Sequence, residues 1–167
     1  MKQKIAASGA LIVFFCLMLL APISYANPVT LNEFTVDSYK LIQQQQTGHP
    51  FILLIWSLDC EYCQASLELV AKKQRAHPQL RIITLSTDIL TDQTISDMLK
   101  SRLASLGLVA QAWAFGDTSP EQLRYSIDQK WHGEMPRSYW FNAQGIRCAV
   151  SGVIRSEDVD DFIRIIK

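Results

Sequence analysis

The chain has 167 residues and a formal charge of zero, because 16 Lys and Arg balance 16 Asp and Glu, and 49% of its residues are hydrophobic. This composition supports one domain with a sizeable core and disfavours disorder, collagen-like repeats and solenoid arrays. No long basic run is present, so nucleic acid is not an expected partner. Four cysteines are too few for a disulfide scaffold, so their spacing has to carry the information.

The first 26 residues have the pattern of a secretory signal peptide. Two lysines near the start precede an apolar stretch at 10–21, and Ser24 and Ala26 are small residues suited to signal-peptidase cleavage. Cleavage would remove Cys16 and leave a single domain, residues 27–167, in an oxidising compartment. The alternative is an uncleaved membrane anchor, for which the apolar run is short.

The rest of the chain alternates predicted helices and strands. They are a helix from 37 or 38 to 46, a strand at 51–56, a helix that Pro78 ends, a strand at 80–86, a helix at 92–105, a strand at 112–115, a helix at 119–130, a hairpin of 138–141 and 146–150, and a last helix from 156. The run at 51–56 is apolar without alternation, which indicates a strand buried on both faces. This order predicts an α/β fold whose central mixed sheet is covered on both faces.

One motif carries the chemistry: Cys60-Glu-Tyr-Cys63 stands between the buried strand and the helix that follows it. A helix N-terminus offers unpaired N–H groups and a partial positive charge, which stabilise a thiolate at the first cysteine. The second sulfur lies one turn further on, close enough to attack a mixed disulfide. The motif therefore indicates a redox-active pair.

Two other interpretations of this motif stay open. It could be half of a zinc site, but zinc needs two further ligands, and the remaining Cys148, His49, His77 and His132 lack ligand spacing. It could also be a structural disulfide without turnover. We expect no metal site, and we expect Cys148 to be a small buried thiol in the last strand.

Acidic residues flank the first cysteine, and they favour a particular redox character. Asp59 and Glu61 bracket Cys60, with Tyr62 beside them, and no Lys or Arg lies between residues 41 and 70. A nearby carboxylate disfavours the thiolate, so we expect a couple that is more reducing than strongly oxidising. Two alternatives stay open: both acids could point to solvent, where salt screening leaves only a small effect, or Arg137 could fold back and cancel them.

A proline precedes the predicted hairpin. Because X-Pro is where a cis bond is tolerated, and proline is accepted at the first residue of a strand, Met135–Pro136 is a candidate for a cis bond. With this feature the chain resembles the thioredoxin superfamily, most closely its TlpA/ResA-like periplasmic thiol:disulfide oxidoreductases. The resemblance covers residues 51–167. It rests on the segment 56–63, this proline, the hairpin-plus-helix ending and an extra helix and strand between Thr91 and Gly116.

The resemblance implies a thioredoxin-like three-layer fold, with a central mixed β-sheet flanked by helices and an inserted helix–strand unit. It implies that Cys60 attacks, that Cys63 resolves, and that Met135 and Pro136 bind the substrate chain. Together with the position of the proline, it predicts a cis Met135–Pro136 bond packed against the cysteine pair. It also implies client proteins that exchange thiols or disulfides, a membrane electron-transfer partner, and no cofactor beyond the redox-active Cys60–Cys63 disulfide.

The chain departs from the family pattern at three positions. Asp59 stands where a tryptophan usually precedes the first cysteine, Leu54 replaces the acid that classical thioredoxins carry on the buried strand, and Ser66 lies where cytochrome-maturation members have a glutamate. The alternative function is a metallochaperone that binds Cu(I) through Cys60 and Cys63. Against it, the sequence has no Met- or His-rich tract.

Overall fold

The computed structural model describes residues 28–166, so the predicted signal peptide and Cys16 lie outside the described residues. The elements in chain order are β1 (Leu31–Phe34), α1 (Ser38–Gln45), β2 (Phe51–Trp56), α2 (Glu61–Ala76), β3 (Arg81–Ile89), α3 (Gln93–Leu106), β4 (Ala112–Phe115), α4 (Pro120–Ile127), β5 (Arg137–Phe141), β6 (Arg147–Ser151) and α5 (Ser156–Ile165). Among the described helices, none has the length and apolar character that crossing a membrane requires.

The strands form one mixed sheet in the order β1-β4-β3-β2-β5-β6. The first four strands in this order run parallel to one another, whereas β5 runs antiparallel to both β2 and β6. The antiparallel end is the predicted hairpin. The mixed sheet is therefore confirmed, and its parallel part brings the carboxyl ends of β2 and β3 to one edge.

The central strand β2 is fully buried, as its unbroken apolar sequence predicts. Ile52, Leu54 and Trp56 pack with one core cluster, and the alternating residues Phe51 and Ile55 pack with another. Successive side chains of a strand point to opposite faces of the sheet, so a strand between two helical layers must be apolar at every position.

Helices cover both faces of the sheet and complete three layers. Residues of α2, α3 and α5 share one core cluster with β2, and residues of α1 and α4 share the other. The α2 helix buries Leu67, Val70 and Ala71, the face that the sequence predicts. Its first turn carries Glu61 and its last turn carries basic residues, an arrangement that complements the helix dipole.

The predicted inserted unit is present as α3 and β4. Asp92 caps α3, because its carboxylate accepts hydrogen bonds from the backbone N–H groups of Thr94 and Ile95 at 2.8 and 3.1 Å. Gly107 ends the helix in the left-handed region at φ 75°, which a residue with a Cβ rarely adopts. The strand β4 then enters the sheet between β1 and β3, parallel to both.

Three element boundaries differ from the prediction. The strand β1 was missed because only Phe34 of its four residues is buried, so this edge strand has no apolar run. The strand β3 continues to Ile89 through a register shift after Ser86, and this irregularity hides its period. The helix α4 ends at Ile127, not 130, since Asp128 adopts an extended conformation.

The prediction of a buried Cys148 is wrong, because the side chain is exposed. Cys148 lies on β6, the edge strand of the sheet, opposite Trp140 of β5. Trp140 is itself only partly buried and meets Phe162 of α5 edge to face, with the ring centroids 5.3 Å apart. The helical cover therefore ends at β5, and it leaves β6 open.

Candidate active site

The two cysteines of the motif form a disulfide at the start of α2. Cys60 is the N-cap residue, and its sulfur accepts a hydrogen bond from the backbone N–H of Cys63 at 3.2 Å. Cys63 lies in the first turn with its side chain fully buried, while Cys60 is only partly buried. Of the two sulfurs, that of Cys60 is therefore the more accessible from outside.

An aspartate on the neighbouring strand holds the loop that leads to Cys60. The Asp88 carboxylate accepts hydrogen bonds from the Leu58 backbone N–H at 2.9 Å and from the Ser86 hydroxyl at 2.6 Å. Asp88 stands near the carboxyl end of β3, beside the end of β2, in the parallel part of the sheet. Sequence reasoning missed this residue, although an acid at the end of a parallel strand was the available signal.

A second side chain holds the same loop from the helical side. The Gln64 amide donates to the backbone oxygens of Ser57 at 3.2 Å and Leu58 at 3.3 Å. The Gln64 side-chain oxygen accepts from Arg102 of α3 at 2.8 Å, and Arg102 also pairs with Glu68. The inserted helix is thus connected to the loop that carries Cys60.

A groove of about 760 Å³ lies between this loop and α3. Its wall includes Leu58 and Gln64 beside the disulfide, and Met98 and Arg102 on α3. Met98 has 51% of its surface exposed.

The three residues predicted to tune Cys60 are all at the surface. Asp59 and Glu61 are exposed, and Tyr62 has 68% of its surface exposed. Arg137 does not offset these acids, since its guanidinium pairs with Asp128 and Glu134 instead.

The Met135–Pro136 peptide bond is cis, as predicted. Pro136 is buried, and its carbonyl oxygen accepts a hydrogen bond from the Gly152 N–H at 2.8 Å. Met135 is partly buried and packs against both core clusters, one of which also includes Cys60 and Cys63. The Met135 sulfur lies 3.6 Å from the Thr87 hydroxyl at the end of β3.

A partly buried ion network adjoins this proline. The Asp128 carboxylate, with 12% of its side chain exposed, lies 3.2 Å from Arg137 and 3.6 Å from Arg147, and it accepts a hydrogen bond from the Tyr139 hydroxyl. Burial raises the pKa of the Asp128 carboxyl, but the Lys130 N–H and the Arg147 charge lower it by more. The net pKa of Asp128 is therefore below its ordinary value.

Two other groups of the network have shifted pKa values. Partial burial raises the pKa of the Glu134 carboxyl, but hydrogen bonds from backbone N–H groups and from Ser151 outweigh it, so the pKa is lowered. Burial raises the pKa of the Tyr139 hydroxyl to about 12, against the opposing effect of Arg137. The network is thus set to keep both carboxylates ionised and the phenol protonated.

The zinc interpretation of the motif finds no second set of ligands in the described part of the chain. No group of three or more His, Cys, Asp or Glu side chains within residues 28–166 is arranged to hold a metal ion. His132 is exposed, and Cys148 is on the edge strand.

The sheet order, the three layers and the disulfide at the start of α2 define a thioredoxin-like fold. A secreted Mycobacterium tuberculosis disulfide oxidoreductase homologous to E. coli DsbE is similar at TM-score 0.55 and 15% identity, over 72% of this chain and 84% of that one. A secreted thiol-disulfide isomerase from Corynebacterium glutamicum gives 0.54 and 14%, over 74% of each chain. A thioredoxin-like protein solved in its oxidised form gives 0.57 and 17%, over 75% and 85%. No family model and no curated protein matches the chain.

Proposed function

We propose that the protein is a thiol:disulfide oxidoreductase that exchanges disulfides with client proteins. The observation that carries this proposal is the asymmetry of the Cys60–Cys63 disulfide, with Cys60 partly exposed at a helix N-terminus and Cys63 fully buried one turn inside. A helix N-terminus favours the thiolate that attacks a disulfide, and a shielded second sulfur resolves the product. A structural disulfide has no need of this asymmetry.

The exchange is a two-step transfer of two electrons. In the reduced protein, the Cys60 thiolate attacks a client disulfide, forms a mixed disulfide and releases one client thiolate. Cys63, after losing its proton, then attacks the Cys60 sulfur, and the second client thiolate leaves. The client is reduced, and the Cys60–Cys63 disulfide is formed. A partner dithiol of the cell envelope returns the two electrons by the reverse chemistry.

Met135 and Pro136 are the proposed binding residues for the client chain. Met135 lies two residues before the start of β5 and packs against the core cluster that also contains the cysteines. An unpaired backbone N–H and C=O at such a position can form β-type hydrogen bonds with an extended peptide. The client cysteine would then lie beside Cys60.

The proposed direction of transfer is reduction of the client. Asp59 and Glu61 flank Cys60, and the guanidinium of Arg137 is paired with two other carboxylates. Both acids are exposed, so solvent screens their charges, and only a weakened effect opposes the thiolate stabilisation that strong oxidants of this fold depend on. Equilibration with glutathione buffers should give a reduction potential more negative than the about −120 mV of the strongest oxidants.

The proposed location is the periplasm, and the proposed subfamily is the TlpA/ResA-like branch. The signal-peptide pattern in the first 26 residues supports export, and two similar solved proteins are described as secreted. The inserted α3–β4 unit supports the branch. Export would place the protein within reach of a membrane electron-transfer partner.

A turnover assay tests the proposed function. The protein, exported to the periplasm of an expression host and purified, should reduce insulin with dithiothreitol as electron source, well above the rate without protein. Cys60→Ser should abolish this activity, since it removes the attacking sulfur, and Cys63→Ser should stop turnover after one mixed disulfide.

Cys148→Ser is the matched control and should retain full activity, because that thiol lies on the edge strand β6, two strands away from β2. Wild-type protein without insulin-reducing activity would contradict the proposal. If the same protein bound one Cu(I) through Cys60 and Cys63 with high affinity, a metallochaperone would replace it.

A further inference from the structure

Arg137 directly follows Pro136, its guanidinium is largely buried, and it has no role in the steps of the proposed exchange. Only 12% of its side chain is exposed. One terminal nitrogen lies 3.2 Å from Asp128, and the other lies 3.1 Å from Glu134 and 2.6 Å from the Ser151 hydroxyl. The guanidinium therefore joins residues on both sides of the Met135–Pro136 pair.

Glu134 fixes the other flank of the pair. Its carboxylate accepts hydrogen bonds from Arg137, from Ser151 at 2.9 Å and from the His132 backbone N–H at 3.2 Å. Its backbone oxygen accepts the indole N–H of Trp131 at 2.9 Å. The chain is thus held immediately before Met135 by both the side chain and the backbone of one residue.

Met135 differs from its neighbours in this segment in its backbone hydrogen bonds. Its backbone N–H and C=O have no hydrogen-bond partner among residues 28–166, although the carbonyls of Glu134 and Pro136 are both paired. A buried or half-buried backbone group is normally paired, so a free pair between two fixed neighbours is open to another chain.

The network is a poor arrangement for stability alone. Replacement of a buried ion pair by apolar residues of similar volume is often neutral or stabilising. The Arg137 Nε is moreover buried without a partner within the described residues, which adds a desolvation cost. A charged cluster with this desolvation cost is better suited to fixing the geometry of the 134–137 segment than to stabilising the fold.

We infer that Arg137 is a positioning residue, which through Asp128 and Glu134 holds the 134–137 segment so that the Met135 backbone stays open to a client polypeptide. The inference rests on the proposed function. It assigns the network to the docking of extended protein clients and not to sulfur chemistry, because none of its groups contacts Cys60 or Cys63 through a hydrogen bond or ion pair in the described structure.

The test compares a polypeptide disulfide with a small one. Insulin needs the Met135 backbone for docking, whereas hydroxyethyl disulfide has no backbone to pair. Arg137→Gln should raise KM for insulin by about tenfold with little change in kcat, the size expected for one lost charged hydrogen bond. Its kcat/KM for hydroxyethyl disulfide should fall far less. Arg137→Lys, which keeps the charge, should recover part of the loss.

Two further variants keep the test decisive. Glu134→Gln alters a side chain that is 44% exposed and should leave the fold intact, and we expect it to raise KM for insulin in the same direction by about threefold. Arg155→Gln is the matched control, an exposed arginine with two acidic partners, and it should change neither substrate.

Equal losses with insulin and hydroxyethyl disulfide, or a loss in kcat alone, would overturn the positioning role. If Arg137→Gln does not fold, an unchanged insulin KM for Glu134→Gln overturns it. Wild-type protein that reduces neither substrate would refute the proposed function and this inference together, whereas active wild-type protein with unaffected variants would refute only the inference.

Discussion

At the scale of single residues, burial distinguishes the two sulfurs. Cys63 is packed in the core with Leu67 and Val70, and Cys60 caps the helix at the surface. The Cys-x-x-Cys spacing alone does not show which sulfur is accessible. Since reagents reach exposed thiolates first, the folded chain gives the attacking role to Cys60 and the resolving role to Cys63. Cys148, which the sequence suggested was buried, is also exposed and must be removed before the pair is compared.

Limited alkylation should therefore separate the two cysteines. In reduced Cys148→Ser protein, a substoichiometric amount of iodoacetamide should modify Cys60 well before Cys63, because Cys63 is fully buried. Mass spectrometry of the digest reads both sites in one sample. Unfolding in guanidinium is the control and should equalise them. Faster modification of Cys63 in the folded protein would contradict the assignment.

The lowered pKa of Asp128 predicts a loss of stability in acid. A carboxyl whose folded pKa lies below its unfolded value of about 3.9 stabilises the fold above that value, and the contribution is lost as the pH falls through the folded pKa. Asp128→Asn should therefore lower the free energy of unfolding near pH 7, by on the order of 3 kcal/mol for a broken buried pair.

This deficit should shrink as both proteins are taken from pH 7 to pH 2, because the wild-type carboxyl becomes neutral too. Urea unfolding followed by fluorescence at each pH gives the difference directly. Glu134→Gln should show a deficit of the same sign, since its carboxyl pKa is also lowered. A difference between wild type and Asp128→Asn that stays constant with pH would contradict this explanation.

At the scale of elements, the local sequence was sufficient to predict a helix or strand whose signals all lie within its own segment. The strand at 51–56 and the helix α3 were predicted because an apolar run and an Asp cap with a terminal Gly are signals within the segment. Where a partner decides the outcome, local signals failed: β1 is a strand because β4 pairs with it, and α4 stops at Ile127 because Asp128 turns toward two arginines.

The cap of the inserted helix gives a prediction at this scale. Asp92→Ala removes two hydrogen bonds to the first turn of α3, so the free energy of unfolding should fall by about 1 kcal/mol. Asp92→Asn should lose much less, because an asparagine oxygen still caps the helix. The exposed Asp117→Ala is the control, expected within about 0.5 kcal/mol of wild type. Equal stability of Asp92→Ala and Asp117→Ala would contradict the capping role.

At the scale of the whole molecule, the topology assembles the candidate site from segments that are distant in sequence. The cysteine pair and the proline were predictable, since each has a local signature. The contact of Asp88 with the Cys60 loop was not predictable, because it joins residues 30 apart in the chain, although the place of Asp88 at the end of a strand was a signal. The partners of Arg137 are likewise set by folding. A pattern shows which residues are suited to the chemistry, but contacts between strands decide which charges come together.

Export of the protein gives a prediction that concerns the whole chain. The small residues before Asn27 predict that protein recovered from the periplasm of an expression host begins at Asn27, which intact-mass spectrometry measures to a single residue. Ala26→Arg, which places a bulky charge at the cleavage site, should leave the precursor uncut in the membrane fraction. A wild-type mass that includes residues 1–26 would indicate a retained anchor instead.

The most direct test of the central claim is the capture of a client at one sulfur. Cys63→Ser/Cys148→Ser protein, reduced and mixed with insulin, should accumulate a mixed disulfide that tandem mass spectrometry maps to Cys60. The matched Cys60→Ser/Cys148→Ser protein should accumulate little or none, since its remaining sulfur is fully buried. Equal adducts in both proteins, or an adduct at Cys63 alone, would contradict the claim that Cys60 is the attacking residue.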